Sequence, residues 1–104
     1  MKPLTVLPRA TRDIRSAVIY YRSEAGEAVA IRFIQALERQ YRAIARQPGI
    51  GSPRYADELG IGNLRSAAVK RFPYLIFYIE LEDRIEVWRM LHVQRDIPEL
   101  MQDR

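Results

Sequence analysis

The chain has 104 residues, a formal net charge of +4 and 48% hydrophobic residues. This length predicts a single domain over residues 1–104, and the apolar content is enough for a modest core rather than a disordered chain. It excludes an enzyme with a separate cofactor domain. The sequence has no cysteine and one histidine, which excludes disulfides, thiolate chemistry and cysteine-based metal sites. We therefore expect no metal and no cofactor.

The positive charge is carried by arginine and is concentrated in the first half of the chain. Fifteen of the 17 basic residues are arginine, and residues 1–52 hold nine basic against four acidic residues. Arginine is the cation that pairs in a bidentate manner with phosphates and carboxylates. The composition therefore indicates an acidic partner, either a nucleic acid or a protein.

Neither a membrane span nor a signal peptide is indicated. The longest apolar run, Leu75 to Ile79, is much too short to cross a bilayer. The first eight residues lack the apolar stretch and the small-residue cleavage site of a secretory signal. We expect a cytoplasmic protein with no membrane partner.

The first half of the chain predicts a strand followed by two helices. Residues 2–7 favour a short edge strand, because prolines lie at both of its ends. Apolar residues then recur at helical spacing over residues 10–24, Gly26 offers a stop, and a second helix is predicted over residues 27–47. Two long helices joined by one glycine predict a helical hairpin.

The second half predicts three strands after a loop. Residues 48–63 are rich in glycine and proline and are predicted to form a loop. Strands are predicted over Leu64–Val69, Tyr74–Leu81 and Ile85–Leu91. Asp96–Glu99 resembles a capping box for a short helix through Met101. The order β-α-α-β-β-β-α predicts an α+β fold, with the hairpin packed on one face of a small antiparallel sheet.

The other face of this sheet is predicted to remain uncovered, because two helices cover only one face. Its side chains would be aromatic and apolar, and such exposed patches mark partner sites. We expect a stably bound protein partner on a set of strand residues: Tyr74, Ile76, Tyr78, Trp88 and Met90.

Four arginines of the second predicted helix form what we call the basic ridge: Arg32, Arg39, Arg42 and Arg46. Their spacing places them within an arc of roughly 80°, opposite the apolar stripe. The ridge has two interpretations, a surface for nucleic acid or an acidic protein or an ordinary solvated helix face. Considered with the uncovered sheet face, it fits an acidic protein partner better than nucleic acid.

A second basic group lies on the predicted strands and at their ends: Arg65, Arg71, Arg89 and His92. Such cations bind phosphate, and a histidine exchanges protons near neutral pH, as a ribonuclease that uses 2′-hydroxyl attack requires. The set supplies only part of what this reaction needs, which is a general base for the hydroxyl and a general acid for the leaving oxygen. The alternative is that His92 is a structural histidine at a strand end. Motifs for nucleotide cofactors and for α/β-hydrolases are absent from the sequence.

Three segments near the C-terminus, taken in order, carry a family resemblance. Phe72–Tyr78 is an aromatic strand that ends in tyrosine, Ile85–His92 ends in Leu-His, and Arg95-Asp96 follows. With the preceding hairpin and glycine-rich loop, they resemble the ParE branch of the ParE/RelE toxins of bacterial type II toxin–antitoxin systems. The resemblance covers nearly the whole chain.

The resemblance implies a toxin that is not an enzyme and has no catalytic residues, but binds DNA gyrase and blocks replication. It implies neutralisation by a ParD-like antitoxin in a hetero-oligomer, with the antitoxin bound to the apolar strand residues named above. Contacts to operator DNA are expected only through the antitoxin complex.

Two alternatives remain at this point. RelE-like relatives cut mRNA on the ribosome, and in that case the strand group of three arginines and His92 would be the catalytic set. The C-terminal tyrosine of many such enzymes is missing, because no tyrosine follows Tyr78. The third possibility is a DNA-binding module that uses the basic ridge.

Overall fold

The structure is a computed structural model that describes residues 1–95 and 97–102. Its elements in chain order are β1 (Leu4–Val6), α1 (Pro8–Ala25), α2 (Glu27–Arg46), a 3₁₀ turn (Pro48–Ile50), α3 (Arg54–Leu59), β2 (Arg65–Ala68), β3 (Tyr74–Glu80), β4 (Ile85–His92) and α4 (Ile97–Gln102). The predicted order is confirmed, with α3 added inside the segment predicted as a loop. Asp96, the predicted cap of α4, lies outside the described residues.

The four strands form one sheet in the order β1-β4-β3-β2. The pairs β2–β3 and β3–β4 are antiparallel, as predicted. β1 instead runs parallel to β4, with Leu4 opposite Ile85. The sheet is therefore mixed. β4 follows β1 only after the hairpin and two further strands, so no tight turn forces β1 and β4 to be antiparallel. The α+β fold class is confirmed.

The helical hairpin packs on one face of the sheet. Gly26 joins the helices with a φ of 95°, which L side chains rarely adopt. Small buried residues of α1, Ala10 and Ala17, let the helices approach the sheet closely, and larger side chains of α2 such as Phe33 and Ile44 fill the space between them. None of the helices in the described part of the chain combines the length and apolarity that a membrane span requires.

The opposite face of the sheet is also covered, so the prediction of an uncovered face is wrong. Tyr55 and Leu59 of α3 and Ile97 and Met101 of α4 pack over it. The sequence did not predict this second layer, because only a few apolar residues, spaced one helical turn apart, distinguish α3 from a loop. The strand residues beneath this layer are Leu75, Phe77, Ile79, Trp88 and Leu91.

A β-bulge in β4 changes which residues face the hairpin. Val87 pairs with Tyr78, and Arg89 pairs with the residue before Tyr78, so Trp88 is an extra residue without a pairing partner. An extra residue shifts the alternation of side chains between the two faces. Val87 and Met90 therefore pack beneath the hairpin, whereas Trp88 packs on the other face. The prediction that Trp88 and Met90 share a face is wrong for this reason.

Candidate functional site

A groove of about 610 Å³ lies between α1 and the ends of β3 and β4 that meet beside it. We call it the tyrosine groove and define it by six lining residues: Tyr20, Tyr21, Tyr74, Arg89, His92 and Arg95. Met90 also lines it. The groove thus brings together residues that the sequence assigned to two different roles, partner binding and ribonuclease chemistry.

Aromatic rings form one wall of the groove. The ring centroids of Tyr20 and Tyr21 are 5.5 Å apart, those of Tyr21 and Tyr74 are 6.3 Å apart, and all these rings meet edge to face. Tyr74 in turn meets the His92 ring at 5.3 Å. Burial raises the pKa of Tyr21, and the phenols of Tyr74 and Tyr20 raise it further. Burial and the Tyr20 phenol also raise the pKa of Tyr74, although its hydrogen bond with Tyr21 and the charge of Arg95 act in the opposite direction. Both phenols are therefore neutral at pH 7 and can donate hydrogen bonds to a ligand.

Arg89 is held at the floor of the groove by Asp13 of α1. Its Nε donates to Asp13 Oδ2 at 2.7 Å and its Nη2 donates to Asp13 Oδ1 at 3.0 Å. Its Nη1 donates to the backbone carbonyl of Leu100 at 3.0 Å. The two side chains of the ion pair are only 10% and 16% exposed. Arg89 therefore connects α1, β4 and α4, and its guanidinium already has anionic and carbonyl acceptors.

His92 has one ring nitrogen engaged by the backbone. The N–H of Gln94 donates to His92 Nδ1 at 3.1 Å. Since Nδ1 accepts this bond, the neutral ring carries its proton on Nε2. In that tautomer Nε2 is a hydrogen-bond donor.

Arg65 lies away from the groove. It pairs with Tyr78, four residues along β3 from Tyr74, which corresponds to roughly 13 Å. Its Nη1 donates to the carbonyl oxygens of Gly51 at 2.7 Å and Gly49 at 3.3 Å. Arg65 therefore holds the loop that follows α2.

The structure does not assemble the four residues of the predicted ribonuclease set. Arg89 and His92 share the tyrosine groove. Arg71 lies exposed in the turn between β2 and β3, with a φ of 73°, and Arg65 belongs to the loop contact described above. Only two of the four residues therefore face a common space.

The predicted partner-binding residues are also divided. Ile76, Tyr78 and Met90 are at most 2% exposed and lie in the core beneath the hairpin. The prediction that they form an exposed surface is wrong, because they face the layer that α1 and α2 cover. Tyr74 reaches the tyrosine groove, and Trp88 lines a smaller cleft of about 390 Å³ beside the start of α1.

Sequence reasoning missed the residues that α1 contributes to the groove. Asp13 follows Ala10 by three residues and precedes Ala17 by four, which places a carboxylate beside the buried stripe of the helix. Buried carboxylates require a cation or several donors. This spacing is the signal that could have identified Asp13 as a partner for a sheet arginine.

The basic ridge lies where its spacing predicts. All four of its arginines are exposed on the outer side of α2. None forms an ion pair or hydrogen bond with a residue in the described ranges. Elsewhere in those ranges, no three histidine, aspartate or glutamate side chains come together as a metal site would require.

The fold is shared with a solved structure. A chain described as the chromosomal ParDE TA system from P. aeruginosa superposes with a TM-score of 0.74 at 19% identity, over 90% of this chain and 98% of that one. A comparison with curated protein sequences finds no match. The hairpin on a four-stranded sheet is thus the fold of a chain from a toxin–antitoxin system.

The family follows from a comparison with models of protein families. The model of a family described as "ParE toxin of type II toxin-antitoxin system, parDE" matches residues 4–97. This chain belongs to the ParE toxin family. The resemblance found in the C-terminal segments is therefore confirmed, and the RelE-like alternative is not favoured.

Proposed function

We propose that this toxin binds DNA gyrase, stabilises its cleaved-DNA state and thereby blocks replication. The observation that carries the proposal is membership of the ParE family over residues 4–97. Binding to an enzyme requires a stable surface and no catalytic residues. A single domain of 104 residues with two covered sheet faces fits that requirement.

The geometry of the groove argues against a ribonuclease. A 2′-hydroxyl attack needs a base for the hydroxyl proton and a cation that is available for the phosphorane. His92 Nδ1 already accepts the backbone N–H of Gln94, and Arg89 is already paired with Asp13. Binding therefore accounts for these residues better than catalysis does.

A supercoiling assay with two arms tests the proposal. We expect the purified chain to reduce supercoiling of relaxed plasmid by gyrase, and we expect no codon-phased cuts in an mRNA translated in vitro. His92→Gln keeps a side chain of similar polarity and should retain growth inhibition. Cleavage of mRNA by the wild type, lost in His92→Gln, would contradict the gyrase proposal.

We further propose that a ParD-like antitoxin covers the tyrosine groove in a hetero-oligomeric complex. Tyr20 is 57% exposed at one rim, and Val93 is 48% exposed just beyond β4. Arg95, also exposed, lines the groove with Tyr20 and adds a positive charge. Tyrosine and arginine are the residue types that dominate binding hot spots. An amphipathic antitoxin segment with an acidic side chain fits this combination.

Alanine substitutions at the groove test this antitoxin site. We expect Tyr20→Ala and Arg95→Ala each to weaken antitoxin binding about tenfold or more, measured by calorimetry. Ile31→Ala is the matched control, because Ile31 is 45% exposed on α2 and does not line the groove. Equal losses for all three variants, or none, would contradict the assignment.

A further inference from the structure

The outer face of α2 has an unusual composition. Besides the basic ridge, its arc of roughly 80° includes only two other exposed residues, Ala28 and Gln35. The nearest acidic residue on the same helix, Glu38, projects about 40° beyond the edge of the arc. The ridge therefore presents four cations without a carboxylate or a large apolar side chain among them.

The charge on the ridge is not neutralised from within the described part of the chain. Two other surface arginines have carboxylate partners: Arg22 contacts Glu27 at 2.9 Å, and the partly exposed Arg84 contacts Asp83 at 2.8 Å. The ridge arginines have none among the described residues. From Arg32 to Arg46 the helix advances by about 21 Å, so the charge forms an extended line rather than a point.

The composition of the ridge discriminates between its two possible partners. Protein interfaces enrich arginine beside aromatic and apolar residues, in a core that is otherwise depleted in charge, whereas nucleic-acid interfaces are polar and strongly positive. The sequence favoured an acidic protein because one sheet face was expected to be uncovered, and α3 and α4 cover that face. No aromatic side chain lies in the arc, and single-strand binding depends on aromatic stacking.

We propose that the basic ridge binds the phosphate backbone of double-stranded DNA without reading its sequence. Arg32, Arg39 and Arg46 follow one another at intervals of about 10.5 Å along the helix. This interval is close to the major-groove width of about 12 Å, so successive side chains can reach phosphates on both sides of that groove. The inference does not depend on gyrase being the target.

The salt dependence of DNA binding by the full chain tests this inference. Fluorescence anisotropy with a mixed-sequence 20-base-pair DNA duplex should give a slope of log K against log salt of about −3.6 for four phosphate contacts, or about a 150-fold loss of affinity between 50 and 200 mM salt. For Arg39→Gln/Arg42→Gln we expect a slope of about −1.8, so that the affinity of this variant falls only about 12-fold between 50 and 200 mM salt.

A matched control separates the ridge from general electrostatic attraction. Arg12→Gln/Arg15→Gln removes the same charge from exposed positions of α1 and should leave the slope unchanged. An equal fall in slope for both double variants would overturn the inference, and so would failure to bind at 50 mM salt. If the wild type does not bind DNA but Arg39→Gln/Arg42→Gln loses gyrase inhibition, the ridge contacts protein and the inference is also overturned.

Discussion

Asp13 and Arg89 form a bidentate ion pair that joins the helical hairpin to the last strand of the sheet. The same carboxylate accepts the backbone N–H of Met90 at 3.0 Å. One carboxylate therefore accepts hydrogen bonds from an arginine and from a strand amide. Arg89 in turn donates a hydrogen bond to the carbonyl of Leu100 in α4. The floor of the tyrosine groove depends on this pair.

Asp13→Asn is expected to lower the free energy of unfolding by about 3 kcal/mol, because it removes the carboxylate that accepts two hydrogen bonds from the mostly buried Arg89 guanidinium. Urea denaturation measures the change. Glu80→Gln is the control, since the Lys2–Glu80 pair is largely exposed and should contribute less than about 1 kcal/mol. A cost for Asp13→Asn no larger than that of the control would show that the pair does not stabilise the fold.

Tyr78 fixes the loop after α2 through its hydroxyl group. The hydroxyl donates to the carbonyl of Pro48 at 2.6 Å and accepts the N–H of Gly51 at 2.9 Å. A Cβ at Gly51 would overlap the Tyr78 hydroxyl and lie 3.0 Å from Cβ of Arg65. Gly51→Ala should therefore lower the free energy of unfolding by about 1–3 kcal/mol in thermal or urea denaturation.

The control for this prediction lies two residues away. A Cβ at Gly49 meets no atom within 4 Å, so Gly49→Ala should leave the unfolding midpoint nearly unchanged. Tyr78→Phe removes both hydrogen bonds and is expected to cost about 1–2 kcal/mol. Equal stability of the two glycine variants would mean that the loop does not pack against Tyr78 as described.

Tyr41 carries a buried hydroxyl that has no hydrogen-bond partner among the described residues. Leaving such a group unpaired costs about 1–3 kcal/mol. Tyr41→Phe removes the hydroxyl and keeps the ring, so it should raise the free energy of unfolding by about 1 kcal/mol at pH 7, as measured by urea denaturation. A loss of stability in this variant would indicate that the hydroxyl has a favourable partner.

Alkaline pH should destabilise the fold through its tyrosines. Burial raises the pKa of four of them above the ordinary value of 10.0: Tyr21, Tyr41, Tyr74 and Tyr78. The folded state therefore favours the neutral phenols. The stability that they contribute is complete below about pH 10, and it is lost as the pH rises toward the pKa values of the folded state. The urea concentration at the unfolding midpoint should fall from pH 8 to pH 10 and again to pH 11. The fall should be less steep in Tyr41→Phe than in the wild type. An identical pH dependence in the variant would contradict the assignment to Tyr41.

Local patterns in the sequence predicted the elements well, and non-local contacts account for what was missed. The helical spacing of apolar residues defined α1 and α2, and Gly26 marked their junction, because these signals act over a few residues. The parallel direction of β1 and the extra residue at Trp88 depend on pairing between distant segments. No local pattern encodes either feature.

The same contrast between local patterns and non-local contacts applies to the candidate site. Exposure of the basic ridge was predictable from the helical period alone. The burial of Ile76 and Met90 was not, because it depends on which face each helix covers. The pairing of Arg89 joins residues 76 positions apart, and only the folded chain brings Asp13 to the strand.

The most direct test of the central claim is a gyrase cleavage assay with the purified toxin. Gyrase, negatively supercoiled plasmid and increasing toxin are incubated, protein is removed with detergent and protease, and linear DNA is quantified. We predict that linear plasmid accumulates with toxin concentration and that a molar excess of a cognate ParD-like antitoxin abolishes the accumulation. No increase in linear DNA, together with undiminished supercoiling of relaxed plasmid by gyrase at saturating toxin, would contradict the account.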